Sequence, residues 1–264
     1  MEASVSPLPW PEFLKLLAHE IRWNILTLLA RSDYRVQELV QQLKQPQNLI
    51  SYHLRLLARQ GLVNERRSSA DGRDIYYSID LEQVRICYQA AAVALHPALE
   101  LHSVLPPEGE IWHLDKPLRV LFLCTENSAR SQMAEGLLRH LAGASLDVAS
   151  AGSQPAEVHP YAIRALAALG IDISHQRSKH LDVFREQSFD EIVTVCDRMR
   201  ESCPTWPANR EPIHWSFPDP VALPGISEAE RYAAFEQLAQ QLLTRLRHFL
   251  ALLAYEQAQQ ARTA

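Results

Sequence analysis

Apolar residues recur at helical spacing from Phe13 to Ala30: Phe13, Leu14, Leu17, Ile21, Ile25, Leu26, Leu28 and Leu29. A second, short helix fits Val36 to Leu43, and Pro46 breaks the chain behind it. A third runs from Asn48 to Gln60 and ends at Gly61. Leu49, Ile50, Leu54 and Leu57 can face a core, which leaves Gln47, Asn48, Ser51, Tyr52, His53 and Arg55 largely on the opposite side. Strand patterns over 62–67 and 74–79 follow, joined by a polar stretch whose Asp71-Gly72 pair is a strong hairpin-turn signal. Helices around a tight turn, then a hairpin tipped with Arg66, Arg67 and Arg73, describe a winged helix-turn-helix that places its recognition helix in the major groove of double-stranded DNA.

Beyond residue 117 the pattern changes to strands alternating with helices. Apolar residues 120–123 lead to Cys124, a small polar loop and a helix opening at Arg130-Ser131. Further strands are expected at 146–152, 191–195 and 212–215, with a helix from Pro160 to Leu169 and a last one from Ser227, capped by Glu230, to about Leu253. This alternation predicts an α/β domain: a four-stranded parallel sheet with helices on both faces and ligands beyond the carboxyl ends of the strands. The expected organisation is a DNA-binding domain over 1–100, a linker over 101–116 containing Pro106-Pro107, and the α/β domain over 117–264.

Composition narrows the setting. A net charge of −5 argues against a chain coated in nucleic acid, yet 44–73 carries six basic residues (Lys44, Arg55, Arg59, Arg66, Arg67, Arg73) against two acidic. Such side chains contact phosphates, while Asn, Gln, Ser and His offer base-edge contacts. Four cysteines are too few for a disulfide scaffold, so reactive thiols are expected. No apolar run suits a membrane span and the N-terminus lacks a signal-peptide pattern, so the expectation is a cytoplasmic protein with no membrane partner.

The chemistry centres on Cys124 to Ser131. Strand, loop and helix N-terminus form an anion cradle in which the amides of Thr125, Glu126, Asn127, Ser128 and Ala129 and the Arg130 guanidinium hold a tetrahedral oxyanion. That field is expected to stabilise the Cys124 thiolate beneath it. Asp219, in His214-Trp215-Ser216-Phe217-Pro218-Asp219-Pro220, is a candidate general acid, shielded by Trp215 and Phe217 and so raised in pKa. Cys196 and Cys203 stand seven apart. They are unrelated cysteines or later members of a thiol relay. A zinc pair lacks two convincing further ligands, so no metal is expected.

Two resemblances sharpen this. Residues 8–100, through the Phe13–Leu26 stretch, Ser51-Tyr52-His53-Leu54-Arg55-Leu56-Leu57, Gly61-Leu62-Val63 and Gly72-Arg73-Asp74-Ile75-Tyr76-Tyr77, resemble the ArsR-type repressors. The resemblance implies operator binding and a homodimer formed through the N-terminal domain. The metal-sensing cysteine pair found in many members is missing from 36–43, and Cys87 reads as core packing. Residues 117–254 resemble the low-molecular-weight protein tyrosine phosphatase fold and, within it, thioredoxin-coupled arsenate reductases. Cys124 to Ser131, Ser150-Ala151-Gly152, Val158-His159-Pro160, Ser178-Lys179, the Cys196/Cys203 pair and Asp219-Pro220 carry that likeness. It implies arsenate as substrate, Cys124 as nucleophile, Ser131 hydrogen-bonded to its sulfur, Asn127 fixing the loop and Asp219 as acid. Cys196 and Cys203 then pass oxidation on to thioredoxin, which supplies the reducing equivalents without a bound cofactor. A plain phosphatase, or a regulator whose second domain only senses oxyanion or redox state, are the competing readings.

Overall fold

A computed structural model describes residues 12–99, 112, 114, 116–202, 211–222 and 227–263. The chain forms two compact units. In the first, α1 (Glu12–Leu17) and α2 (Glu20–Leu29) replace the single helical stretch suggested by periodicity. The break is local. His19 is extended (φ −152°, ψ 121°) and caps α2, its Nδ1 accepting the Ile21 N–H. Then come β1 (Tyr34–Arg35), α3 (Val36–Leu43), α4 (Gln47–Arg59), β2 (Val63–Arg67), β3 (Ile75–Ile79) and α5 (Leu81–Leu95). The β2–β3 hairpin is antiparallel, with Arg67 opposite Ile75, so seven residues, 68–74, join the strands, one more than expected. β1 adds a short third strand against β3, too brief for any alternation to announce it.

Ile25, Leu29, Leu39, Ile50, Leu54, Leu57 and Leu62, all fully buried, form this unit's core. Cys87 packs against it, as expected of a structural thiol.

The second unit holds β4 (Leu118–Cys124), α6 (Arg130–Ala142), β5 (Leu146–Gly152), α7 (Pro160–Ala167), β6 (Glu191–Thr194), α8 (Asp197–Ser202), β7 (Ile213–His214) and α9 (Glu228–Thr263). The sheet is fully parallel in the order β5-β4-β6-β7. Successive residues Val120, Leu121, Phe122 and Leu123 point to alternate faces yet are all at most 1% exposed, so helices cover both sides. Trp112 belongs to this core and donates to Leu141 O at 2.8 Å, which pulls the domain's start back into the stretch read as linker. Most of 101–116 lies outside the described residues. α9 runs ten residues beyond its expected end at Leu253. Among the described residues no helix is long and apolar enough to cross a membrane.

Candidate functional site

Cys124 ends β4, and the loop behind it is held from outside. Thr125 O accepts from Gln154 N (2.8 Å), Glu126 O from Ala156 N (2.9 Å), Ser128 O from His159 N (2.8 Å), and Asn127 O from Ser178 Oγ (2.7 Å). In a trans peptide the N–H points opposite to the carbonyl, so four carbonyls turned outward send the amides of 126–129 inward. The Asn127 N–H meets Cys124 Sγ at 3.0 Å, as that geometry demands. Gly152 makes the fit possible: a Cβ there would lie 2.6 Å from Thr125 O and 2.8 Å from Asn127 N. The side chain of Glu126 is exposed, so only its amide serves the cradle.

Asn127 is the hub. It sits in the left-handed region (φ 49°), a conformation asparagine tolerates better than most residues. Its Nδ2 donates to Ser131 Oγ (2.9 Å) and Ser150 Oγ (2.7 Å), and its Oδ1 accepts from Lys179 N (2.8 Å) and Gln132 Nε2 (3.1 Å). Ser150 Oγ donates to Glu135, which is 1% exposed and paired with Arg139 (2.7 Å) and Lys179 (3.4 Å). Ser131 Oγ accepts from Asn127 and lies 2.9 Å from Cys124 Sγ, within reach to donate to that sulfur as a thiolate. Sequence reasoning named Asn127 and Ser131 but missed Glu135. The signal was an acidic residue four positions after Ser131, on the face of α6 that packs inward.

Burial pushes the Cys124 thiol up and Cys196 adds to this, while the Arg130 guanidinium, the Ser131 hydroxyl and the Asn127 N–H pull it down. The upward direction wins. The field expected to hold a thiolate is present, but in this closed site it does not outweigh desolvation.

Arg130 reaches Asp219 at 2.7 Å and Phe217 O at 3.4 Å, which brings the expected guanidinium and carboxyl together over the cradle. The shielding expected of Trp215 is not there. Its indole is 1% exposed and packs inward against Phe122 and Phe249, at ring-centroid distances of 6.1 and 5.4 Å, and the Asp219 side chain stays 29% exposed.

Cys196 is buried two residues past the end of β6. Its Sγ lies 3.5 Å from Thr125 Oγ1 and receives the Met199 N–H at 3.4 Å. The second thiol thus borders the first residue of the cradle. Cys203 lies outside the described residues.

On the first unit, Gln47, Asn48, Tyr52 and Arg55 of α4 are exposed and Ser51 half-buried. His53 is not on that face. It is 3% exposed, its ring 4.4 Å from that of His19, because its position one turn before Leu57 and three after Ile50 aims it at the core. Arg67 and Arg73 are exposed and Arg66 half-buried on the wing. Arg73 pairs with Asp71 at 2.9 Å.

A parallel sheet that aims a cysteine, an amide-lined loop and an arginine at one point defines an oxyanion-binding enzyme of the phosphatase type. The sequence model for low molecular weight phosphotyrosine protein phosphatase matches residues 119–259, and the chain belongs to that family. Residues 19–65 match the arsR family of bacterial regulatory proteins. An arsenate reductase of Halalkalibacterium halodurans is 41% identical over 130 residues, 49% of this chain and 93% of that protein. One from Bacillus subtilis is 38% identical over 130 residues, again 49% and 93%. A solved arsenate reductase in oxidized state aligns with 51% of this chain and 98% of its own at 30% identity, with a TM-score of 0.44.

Proposed function

We propose that the chain is an arsenate reductase joined to a DNA-binding repressor domain and working in arsenic resistance. The observation that carries this reading is Cys196 bordering the Cys124 cradle, since a phosphatase needs only the first of those thiols. Arsenate is held by the loop amides and Arg130. The dianion is itself a base and takes the Cys124 proton. The thiolate then displaces an arsenate oxygen, which leaves as water after Asp219 supplies a proton. Cys196, as thiolate, attacks Cys124 Sγ. The sulfur–arsenic bond breaks with its electron pair on arsenic, giving arsenite and a Cys124–Cys196 disulfide. Cys203 attacks Cys196, frees Cys124 and leaves a Cys196–Cys203 disulfide. A thioredoxin dithiol reduces that bond and is oxidised in turn, with no resident cofactor.

Helix α4 offers Gln47, Asn48, Ser51, Tyr52 and Arg55 to operator bases and phosphates, with Arg66, Arg67 and Arg73 of the wing along the backbone. The domain pairs with a second copy through α5, a helix with no fully buried residue and with Ile86 and Val93 exposed. The working compartment is the cytoplasm, where thioredoxin is reduced.

The test is arsenate-dependent consumption of reduced thioredoxin by the full chain. Wild type turns over repeatedly. Cys203→Ser stops after one arsenite per chain, and unchanged turnover in that variant would overturn the relay.

A further inference from the structure

His214 and Asp197, both fully buried, play no part in the relay described above. The imidazole spans two residues on either side of Val195-Cys196. Its Nδ1 is 2.9 Å from Thr194 Oγ1, and its Nε2 stands at ion-pair distance, 3.3 Å, from Asp197 Oδ1, an oxygen that accepts a hydrogen bond from Ser216 Oγ at 2.7 Å. Backbone pairing fixes the rest of this segment: Thr194 stands opposite His214 in the β6–β7 ladder, Trp215 N donates to Thr194 O at 2.9 Å, and Val195 N donates to Leu123 O at 2.8 Å.

We infer that His214, through Asp197 and Thr194, is a positioning residue that clamps the backbone around Cys196 so that its sulfur faces the cradle. The inference rests on the relay reading. Cys196 lies two residues past the end of β6, and its sulfur already reaches the hydroxyl of Thr125, the residue that follows Cys124, at 3.5 Å. What limits the attack is then the direction of the Cys196 side chain, since a disulfide tolerates only a narrow geometry. A histidine suits the clamp because its two ring nitrogens face opposite ways. Asparagine can replace only the Nδ1 contact, and glutamine only the Nε2 contact.

The experiment measures arsenite release in a single turnover of the pre-reduced full chain, without thioredoxin, as arsenate is varied. Cys196→Ser is the reference. His214→Asn and Asp197→Asn are expected to lower the maximal rate by about tenfold or more, the scale of a misdirected reacting group. Half-saturating arsenate should stay within about twofold, because the cradle is untouched. His214→Gln should recover part of the rate by restoring the Asp197 contact. Leu246→Ala, a core cavity in α9, controls for stability: it lowers the melting temperature but not the rate. If His214→Asn and Asp197→Asn keep the wild-type rate, or lose rate only as far as melting temperature falls, the clamp is overturned while the relay stands. If Cys196→Ser still releases arsenite, the relay itself fails.

Discussion

Gly152 shows how much one missing carbon decides. It ends β5 directly behind the cradle, where a Cβ would collide with backbone atoms of Thr125 and Asn127 rather than with a movable side chain. Gly152→Ala must push the loop away from Cys124. A displacement near 1 Å at a reacting centre costs roughly 100-fold, so arsenate turnover by this variant should fall on that scale in steady-state assays. His53 makes a different prediction. Both ring nitrogens are buried with no hydrogen-bond partner among the described residues, and burial, with His19 and Arg22 nearby, pushes its pKa below the ordinary value of about 6.5. Below that value the unfolded chain takes up the proton first. The stability contributed by neutral His53 is therefore complete above about pH 6.5 and is lost as pH falls toward the lower folded value. Thermal melts between about pH 7.5 and 5.5 should show the transition of the first unit falling, with a shallower slope in His53→Phe.

Among the elements, α9 begins with a capping box. Ser227 Oγ receives the Glu230 N–H at 3.3 Å, and Glu230 Oε2 accepts the Ser227 N–H at 2.8 Å. Ser227→Ala should cost about 1 kcal/mol, read by denaturant unfolding. That cap was legible in the sequence, as were the four strands of the sheet, because apolar runs ending in small residues have few other uses. The gap between α1 and α2 was not legible: the apolar spacing continues through His19, and only the capping geometry interrupts it. His53 was misjudged for a related reason. Polarity suggested an outward face, whereas helical phase, three residues after Ile50 and four before Leu57, sets the side chain inward. At the cradle, the motif revealed the residues that touch the anion. The support behind it, Glu135, Ser150 and Lys179, depends on three elements converging, which spacing along the chain does not encode.

At the scale of the whole chain, a reductase and a DNA reader share one net-negative molecule, so operator affinity depends on a local basic excess and falls steeply with salt. Arg67→Ala should weaken binding on all sequences alike and reduce the slope of log affinity against log salt by about one. Tyr52→Ala, which removes an exposed aromatic from α4, should act mainly on the choice of sequence. Gel shifts across a salt series separate the two.

The cradle also carries an ecological liability. Backbone amides and one guanidinium recognise a tetrahedral oxyanion by size and charge, properties that phosphate shares with arsenate. Discrimination comes only afterwards, when the sulfur adduct must surrender an electron pair to its central atom, which arsenic accepts and phosphorus does not. Phosphate is therefore a silent tenant. The apparent KM for arsenate should rise in proportion to added phosphate at constant kcat, and a phosphate-replete cell would detoxify arsenate more slowly than a starved one holding the same amount of enzyme.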